Sequence, residues 1–243
     1  MKNCVLVIDS GVGGVSVLNV LRQKYPQYNY IYYLDAKYAP YGNKAQKQIS
    51  LRLVDIISRY IKYNNIVLVV LACNTATAMA LDSIDKKFAV PIIGIVPDIN
   101  LALKSSTKKV LVLATVGTIK YSKVIKNTKS QNIILAPQRK LAKLIDDNLD
   151  DLSKIKQDIF KILSPYKDKA VDCVVLGCTH YVFVKEYILE FFGKIKFFDG
   201  IDRVVKSASK YLTRTIGCGN VYIKNSLNDD NINALIKKYI KSL

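Results

Sequence analysis

Short apolar runs rich in Val, Ile and Leu recur along the 243-residue chain and alternate with longer segments of mixed polarity. Runs of about four to eight β-branched and apolar residues are typical of buried strands, and the longer segments have the length of helices. The predicted strands cover residues 4–8, 30–34, 66–72, 92–96, 110–114, 133–135, 171–177 and 195–198. This alternation of strand and helix predicts an α/β protein with mainly parallel sheets.

The pattern of the first half of the chain returns in the second half. The segment V-V-L-A-C-N-T at 69–75 resembles V-V-L-G-C-T-H at 174–180, and Cys178 therefore follows Cys73 by 105 positions. Chance similarity between valine-rich strands is the alternative explanation. A second match at the same spacing favours a true repeat.

That second match aligns residues 5–8 of the opening strand with 110–113. The repeat predicts two pseudo-symmetric, doubly wound α/β domains that face each other, with the active site between them. We expect the first domain to comprise residues 1–95 and 205–243, and the second to comprise 96–204.

Two of the five cysteines directly follow predicted strands. Cys73 precedes a predicted helix at 74–81, and Cys178 precedes one that runs from 179 to about 192. Ligands bind at the carboxyl ends of strands in such proteins, and the start of a helix lowers the pKa of a thiol. We expect both thiols to lie near a substrate with lowered pKa values. The cysteines expected to be structural are Cys4, Cys173 and Cys218.

Several kinds of chemistry use a pair of thiols. A disulfide redox centre more often shows C-x-x-C, which is absent, and a metal site of Cys73, Cys178 and His180 has three ligands where a structural zinc site has four. A cysteine hydrolase or lyase would need His180, the only histidine, as its base. Two equivalent acid/base thiols instead suit cofactor-free inversion of a carbon centre, because one removes a proton from one face and the other delivers a proton to the opposite face.

The net charge of +18 permits contact with nucleic acid or with a membrane surface. However, the basic residues are scattered, and no helix-turn-helix, zinc-finger spacing or aromatic ribonucleoprotein-like strand accompanies them. We therefore expect a small anionic substrate, with no nucleic acid as main partner. A basic nucleic-acid-binding protein on the same fold is the alternative from another functional class.

The longest apolar stretch, at 66–73, is far shorter than the roughly 18 residues that a transmembrane helix needs. The N-terminus also lacks the pattern of a signal peptide. We expect a cytoplasmic protein with free thiols and no membrane partner.

The glycine-rich stretch I-D-S-G-V-G-G-V-S-V at 8–17 follows the first strand, where a phosphate loop often lies. A Walker loop needs Gly-Lys-Ser/Thr, and a dinucleotide fingerprint needs glycine at the position of Ser16. Asp9 would repel a phosphate but attract an ammonium group. The stretch is therefore interpreted as the wall of a site for an amino acid.

Four sequence blocks together resemble one enzyme family. They are D-S-G-V-G-G at 9–14, P-Y-G-N at 40–43, A-C-N-T-A-T-A at 72–78 and L-G-C-T-H-Y at 176–181. In this order and spacing they resemble the glutamate racemases of the cofactor-independent aspartate/glutamate racemase superfamily. Aspartate racemases resemble this chain less in the opening loop and the last block. Glutamate is therefore favoured, with a related aspartate or amino-acid racemase as the alternative.

The resemblance implies a reaction and a set of site residues. Cys73 and Cys178 would be the acid/base thiols that interconvert L- and D-glutamate, with Asp9 and His180 as polar helpers, one beside each thiol. The substrate would be bound by Asp9, Ser10, Tyr41, Gly42, Asn74, Thr75, Thr115, Thr118, Thr179 and His180. No cofactor and no metal are implied. The D-glutamate would serve peptidoglycan synthesis, and thereby cell-wall biogenesis and cell shape. A homodimer is compatible with the sequence.

Three positions depart from the family pattern. Val182 stands where proline is usual, and Tyr121 stands where serine or threonine is common, with Ser122 directly after it. An acidic residue of the second domain, generally glutamate, assists the second thiol in the family. Its best counterpart here is Asp146, which is one methylene shorter.

Overall fold

The computed structural model describes residues 3–213 and 218–240, and its strands form two parallel β-sheets. The first sheet consists of β1 (Cys4–Asp9), β2 (Asn29–Leu34), β3 (Ile66–Leu71), β4 (Ile92–Gly94) and β9 (Val221–Asn225). The second consists of β5 (Lys109–Thr115), β6 (Ile133–Gln138), β7 (Val171–Gly177) and β8 (Lys196–Phe198). All pairings between neighbouring strands are parallel. The predicted α/β class with parallel sheets is confirmed.

Helices connect the strands. They are α1 (Val15–Lys24), α2 (Gln46–Tyr63), α3 (Asn74–Ile84), α4 (Ile99–Ser105), α5 (Val116–Tyr121), α6 (Lys123–Asn127), α7 (Leu141–Asp146), α8 (Lys156–Leu163), α9 (Lys185–Phe192), α10 (Ile201–Ala208) and α11 (Asp230–Tyr239). Three short 3-10 turns matter for the site: Val12–Gly14, Tyr41–Asn43 and Thr179–Val184. The longest helix, α2, buries Ile49, Leu53, Ile56 and Ile57, whose spacing places them on one face.

The sequence repeat corresponds to a structural repeat. The first sheet has the strand order β4-β3-β1-β2-β9 and the second β6-β5-β7-β8, so that four strands occur in matching order in each. The pairing of β1 with β3 shifts in register between Cys4 and Val5, and that of β5 with β7 shifts between Lys109 and Val110. The two irregularities lie 105 residues apart, as the cysteines do. The domain boundaries near 95 and 205 stay a prediction.

The central strands lie in the core. All six residues of β1 are buried, and so are the last four of β3. Continuous apolar runs of this kind are typical of parallel strands covered on both faces. Cys4 and Cys173 are fully buried in strands, as expected of structural cysteines. Cys218 is exposed, and it therefore does not share their place in the core.

Two expectations about local structure need correction. The helix predicted from 179 to about 192 begins only at Lys185, because Thr179–Val184 forms a 3-10 turn. Four side chains of this turn are buried, and packing rather than helix propensity shapes it. The strand β9 was not predicted, because its partly exposed residues lie at a sheet edge and lack a continuous apolar run.

The part of the chain that the structure describes contains no helix that is long and apolar enough to cross a membrane.

Candidate active site

The predicted site residues cluster where four central strands end. Asp9 is the last residue of β1, and Thr115 is the last residue of β5. Cys73 follows β3 after one further residue, and Cys178 directly follows β7. Hydrogen bonds join the two sheets' strand ends: the Thr179 hydroxyl donates to Asp9 Oδ2 over 3.0 Å. The same edge of each sheet therefore contributes to one site.

Cys73 caps the N-terminus of α3 and is 7% exposed. Its Sγ lies 3.6 Å from Ser10 Oγ. Burial, together with the nearby Asp9 carboxylate, raises the pKa of the Cys73 thiol to about 12, although the Ala76 backbone N–H and the Ser10 hydroxyl act in the opposite direction. The expectation of a lowered pKa is therefore wrong for Cys73, because desolvation outweighs the helix N-terminus.

Cys178 is also 7% exposed, but it precedes a 3-10 turn rather than an α-helix. Its Sγ lies 3.6 Å from Nδ1 of His180. The charge of Cys178 also acts on the pKa of Cys73, so the two thiols lie within electrostatic range of each other. Each thiol thus has a different polar neighbour: a serine hydroxyl for Cys73 and an imidazole for Cys178.

His180 bridges Cys178 and Asp146. Its Nε2 lies 3.0 Å from the Asp146 carboxylate. Burial alone would lower the pKa of His180, but the Asp146 carboxylate and the Cys178 sulfur outweigh burial and raise it well above its usual value. Asp146 is therefore connected to Cys178 through the His180 ring, and its correspondence to the family's acidic residue stays a prediction. The two ring nitrogens of His180 thus face a carboxylate and a cysteine sulfur.

Asp9 lies between the two halves of the site. It is fully buried, and its carboxylate accepts hydrogen bonds from the Gly11 backbone N–H over 3.0 Å and from the Thr179 hydroxyl over 3.0 Å. Burial raises the pKa of Asp9, while the nearby His180 lowers it. Although Asp9 belongs to the first sheet, it holds the turn that follows Cys178.

The glycines of the opening loop permit this close approach. A Cβ atom at Gly13 would lie 2.5 Å from Thr179 Oγ1 and 2.6 Å from the His180 backbone nitrogen. A Cβ at Gly11 would lie 2.3 Å from His180 Nε2. Only glycine fits at these positions unless the neighbouring atoms move. The stretch interpreted as a site wall therefore packs directly on the turn that carries His180.

Three threonine hydroxyls form a cluster between the sheets. Thr75 Oγ1 lies 2.8 Å from Thr115 Oγ1 and 3.2 Å from Thr118 Oγ1, and the Thr115 and Thr118 hydroxyls are 2.9 Å apart. Gly42 lies beside this cluster, since a Cβ atom on it would lie 3.6 Å from Thr115 Cβ. Hydroxyls and a backbone turn in this arrangement can bind a carboxylate.

Two predicted substrate contacts do not join this cluster through their side chains. The Tyr41 hydroxyl donates to Asp35 Oδ2 over 2.7 Å, and its side chain is 1% exposed. The Asn74 amide is buried without a hydrogen-bond partner among the described residues. It lines a separate cavity of about 80 Å³ beside Pro97 and Ser122.

Sequence reasoning missed Asp35. It directly follows β2, and it is fully buried. Asp9, by comparison, ends β1. The rule that polar residues at strand ends carry function would have singled it out.

A cavity of about 370 Å³ opens beside the site. Four site residues line it, namely Ser10, Gly11, Asp146 and His180. Apolar residues of α7 and α11 line another side, but neither thiol faces it. The described conformation is therefore closed around Cys73 and Cys178.

Among the residues that the structure describes, no group of three or more His, Cys, Asp or Glu side chains is arranged to hold a metal ion.

Comparison with known proteins gives a consistent result. The model of the Asp/Glu/Hydantoin racemase family matches residues 15–208. The chain is 37% identical over 221 residues to the glutamate racemase of Buchnera aphidicola subsp. Schizaphis graminum, covering 85% of this chain and 84% of the relative. It is 35% identical over 243 residues to that of Clostridium acetobutylicum, covering 95% and 94% of the two chains.

Solved structures show the same likeness. Escherichia coli glutamate racemase, in complex with L-glutamate and the activator UDP-MurNAc-ala, is similar with a TM-score of 0.85 and 26% identity over 98% of this chain and 96% of that one. The glutamate racemase of Aquifex pyrophilus is similar with a TM-score of 0.78 and 27% identity, covering 98% and 94%.

Proposed function

The chain belongs to the Asp/Glu/Hydantoin racemase family, and we propose that it interconverts L-glutamate and D-glutamate at Cα with two thiols and no cofactor. A racemase is an isomerase, and the curated relatives at 35% and 37% identity are glutamate racemases. The observation that carries the proposal is the placement of Cys73 and Cys178 at equivalent strand ends of the two facing sheets.

In the proposed reaction, the thiolate of one cysteine removes the Cα proton of the bound amino acid. The Cα–H bond breaks and an S–H bond forms. The thiol of the other cysteine then donates its proton to the opposite face of Cα, so that a new Cα–H bond forms with inverted configuration. The two sulfurs finish with exchanged protonation states, and the reverse direction uses them in exchanged roles.

The neighbours of each thiol support distinct tuning of the two sulfurs. His180, held by Asp146, places an imidazole nitrogen 3.6 Å from Cys178 Sγ, where its charge would stabilise the thiolate. Cys73 has the Ser10 hydroxyl at 3.6 Å and the buried Asp9 nearby. A substrate ammonium group at Asp9 would offset the negative charge that raises the pKa of Cys73.

The substrate carboxylates would be held by hydroxyl and backbone N–H donors. The proposed set is Asp9, Ser10, Tyr41, Gly42, Asn74, Thr75, Thr115, Thr118, Thr179 and His180. Of these, Thr75, Thr115 and Thr118 form one hydroxyl cluster between the sheets. Cys73 and Cys178 are each only 7% exposed. The segments that follow the first sheet's strands would therefore separate from those that follow the second sheet's strands when glutamate enters.

In the cell, this activity would supply D-glutamate for peptidoglycan synthesis. We propose a cytoplasmic enzyme, because its chemistry needs both thiols reduced and the cytoplasm keeps thiols in that state.

The test is exchange of the Cα hydrogen in deuterated water. The purified protein, without added pyridoxal phosphate or metal, should place deuterium at Cα of both L- and D-glutamate and should bring either enantiomer to a racemic mixture. Folding is checked by circular dichroism on the same sample. A folded protein that exchanges neither enantiomer would contradict the proposal, and a covalent adduct on a single cysteine, seen by mass spectrometry, would favour a hydrolase or lyase.

A further inference from the structure

A buried ion pair lies behind the Tyr41–Asn43 turn. Arg52 of α2 donates from Nε to Asp35 Oδ2 over 2.9 Å and from Nη2 to Asp35 Oδ1 over 2.7 Å. The Asp35 side chain is fully buried and that of Arg52 is 15% exposed. Two parallel hydrogen bonds of this kind fix the orientation of both groups.

Asp35 has further partners that connect it to the site. Its Oδ2 accepts the Tyr41 hydroxyl over 2.7 Å, and its backbone N–H donates to the Asp9 carbonyl over 2.8 Å. Burial and the Asp35 charge raise the pKa of Tyr41 well above its usual value, so that the phenol stays a hydrogen-bond donor. The Arg52–Asp35 pair therefore orients the Tyr41 side chain through the hydrogen bond from the Tyr41 hydroxyl to Asp35.

Gly42, the next residue of the turn, packs against α5 and the end of β5. A Cβ atom on Gly117 would lie 3.2 Å from Gly42 Cα, and a Cβ atom on Gly42 would lie 3.6 Å from Thr115 Cβ. Because the Tyr41 side chain faces Asp35, the substrate would meet Tyr41 through its backbone and the adjoining Gly42. The position of that backbone depends on how Tyr41 is held.

We propose that Arg52 is a positioning residue that acts through Asp35 and Tyr41 to hold the Gly42 backbone where it binds the substrate. The inference rests on the proposed racemase function. If the Arg52–Asp35 pair only stabilised the fold, its loss would leave substrate binding unchanged, whereas a positioning role predicts weaker binding. Displacing the turn weakens contacts made equally in the ground state and the transition state, which raises KM more than it lowers kcat.

The chain offers a matched control on the same helix. Arg59 lies two turns further along α2, pairs with Asp55 over 2.6 Å, and lines the same cavity of about 330 Å³ as Arg52. The Arg59 side chain is 50% exposed, and among the described residues it pairs with Asp55 rather than with Asp35 or Tyr41. Arg59→Met therefore removes a guanidinium from the same surface without touching the turn.

The experiment compares KM and kcat of wild type, Arg52→Met, Arg52→Lys and Arg59→Met with D-glutamate. We expect Arg52→Met to raise KM about tenfold or more with a smaller change in kcat, and Arg59→Met to match wild type. Arg52→Lys should be intermediate, because an ammonium keeps the charge but loses the paired geometry. Millimolar guanidinium, which can enter the cavity, should lower KM of Arg52→Met and leave Arg59→Met unchanged.

Each result bears on the inference. A folded Arg52→Met protein with the KM of wild type, and with only a lower Tm, would show a merely structural role and overturn it. If Arg52→Met fails to fold, Tyr41→Phe tests the next link, because it removes the hydrogen bond from the Tyr41 hydroxyl to Asp35, and an unchanged KM there overturns the inference as well. Absence of turnover in wild type and Arg59→Met alike would instead overturn the racemase function, and with it this inference.

Discussion

The Nε2 atom of His180 lies 3.0 Å from the carboxylate of Asp146, the last residue of α7. The two residues are separated by 34 positions, and the contact turns Nδ1 of the same ring towards Cys178 Sγ at 3.6 Å. A carboxylate on one nitrogen fixes the orientation of the ring and favours its charged form. The polar environment of the second thiol therefore depends on a residue from another helix.

The first prediction concerns the charge of His180. Because Asp146 and Cys178 raise its pKa well above the usual value, the ring should stay protonated at neutral pH. His180 is the only histidine in the chain, so its Hε1 resonance can be followed in a proton NMR titration without overlap from another histidine. Asp146→Asn should lower the midpoint. Asp147→Asn, which removes the partner of exposed Lys143, should leave it in place. Equal midpoints in the two variants would contradict the assignment.

The second prediction is a pH dependence of stability. The folded pKa of His180 is raised above its unfolded value, and a group of this kind stabilises the fold fully below the unfolded pKa of about 6.5. That contribution is lost as pH rises through the folded pKa. Urea unfolding from about pH 6 to about pH 9 should therefore show wild type losing more stability than Asp146→Asn. Parallel curves for the two proteins would argue against the shift.

The third prediction tests the close approach at Gly13. A Cβ atom there would lie 2.6 Å from the His180 backbone nitrogen, which cannot rotate away. We expect Gly13→Ala to lose about 1–3 kcal/mol of stability and most of its activity. Gly42→Ala serves as the stability control, because its Cβ would make an ordinary contact at 3.6 Å. Thermal unfolding should separate the two, and similar Tm values would mean that the loop adapts.

The fourth prediction separates the cysteines by role. Cys73→Ala and Cys178→Ala should each abolish racemisation, because each removes one of the two proton carriers. Cys173→Ala, in the core of β7, and Cys218→Ala, on the surface, should keep most of it. Racemisation is followed by the circular dichroism of glutamate, and each rate is divided by the concentration of folded protein. Equal loss in the Cys173 variant would indicate fold damage rather than loss of catalysis.

The fifth prediction concerns the Cys73 thiol in the free enzyme. Burial raises its pKa to about 12, so that it is a neutral thiol at pH 8. Alkylation of Cys73 by iodoacetamide, followed by peptide mass spectrometry, should be slow at that pH and still rising at pH 10. The exposed Cys218 in the same sample provides the internal reference. Fast alkylation of Cys73 with a midpoint below pH 9 would contradict the effect of burial.

Most of the fold could be predicted from the sequence. Continuous apolar runs located β1 to β8, because parallel strands covered on both faces have no polar alternation. The repeat at 105 residues indicated two equivalent sheets. The edge strand β9 and the turn Thr179–Val184 were not anticipated, because each is shaped by what packs against it rather than by its own pattern.

The candidate site, like the fold, could be predicted only in part from the sequence. Local sequence placed both cysteines at strand ends, and motif resemblance selected the other residues. Loose alignment suggested Asp146, but only the structure brings it to His180. Asp35 directly follows β2 and could have been singled out by that position, whereas Arg52 could not, because a sequence does not show which partner a buried carboxylate will meet.

The sequence by itself determined the parallel α/β architecture, its internal repeat and the position of each thiol at the end of a strand. These features follow from local patterns of burial, which each segment carries independently. Only the tertiary structure decided the state of the groups: the raised pKa of Cys73, the His180–Asp146 pair and the orientation of Tyr41 by Asp35. These depend on desolvation and on contacts between separate segments, and both arise only when the folded chain brings those segments together.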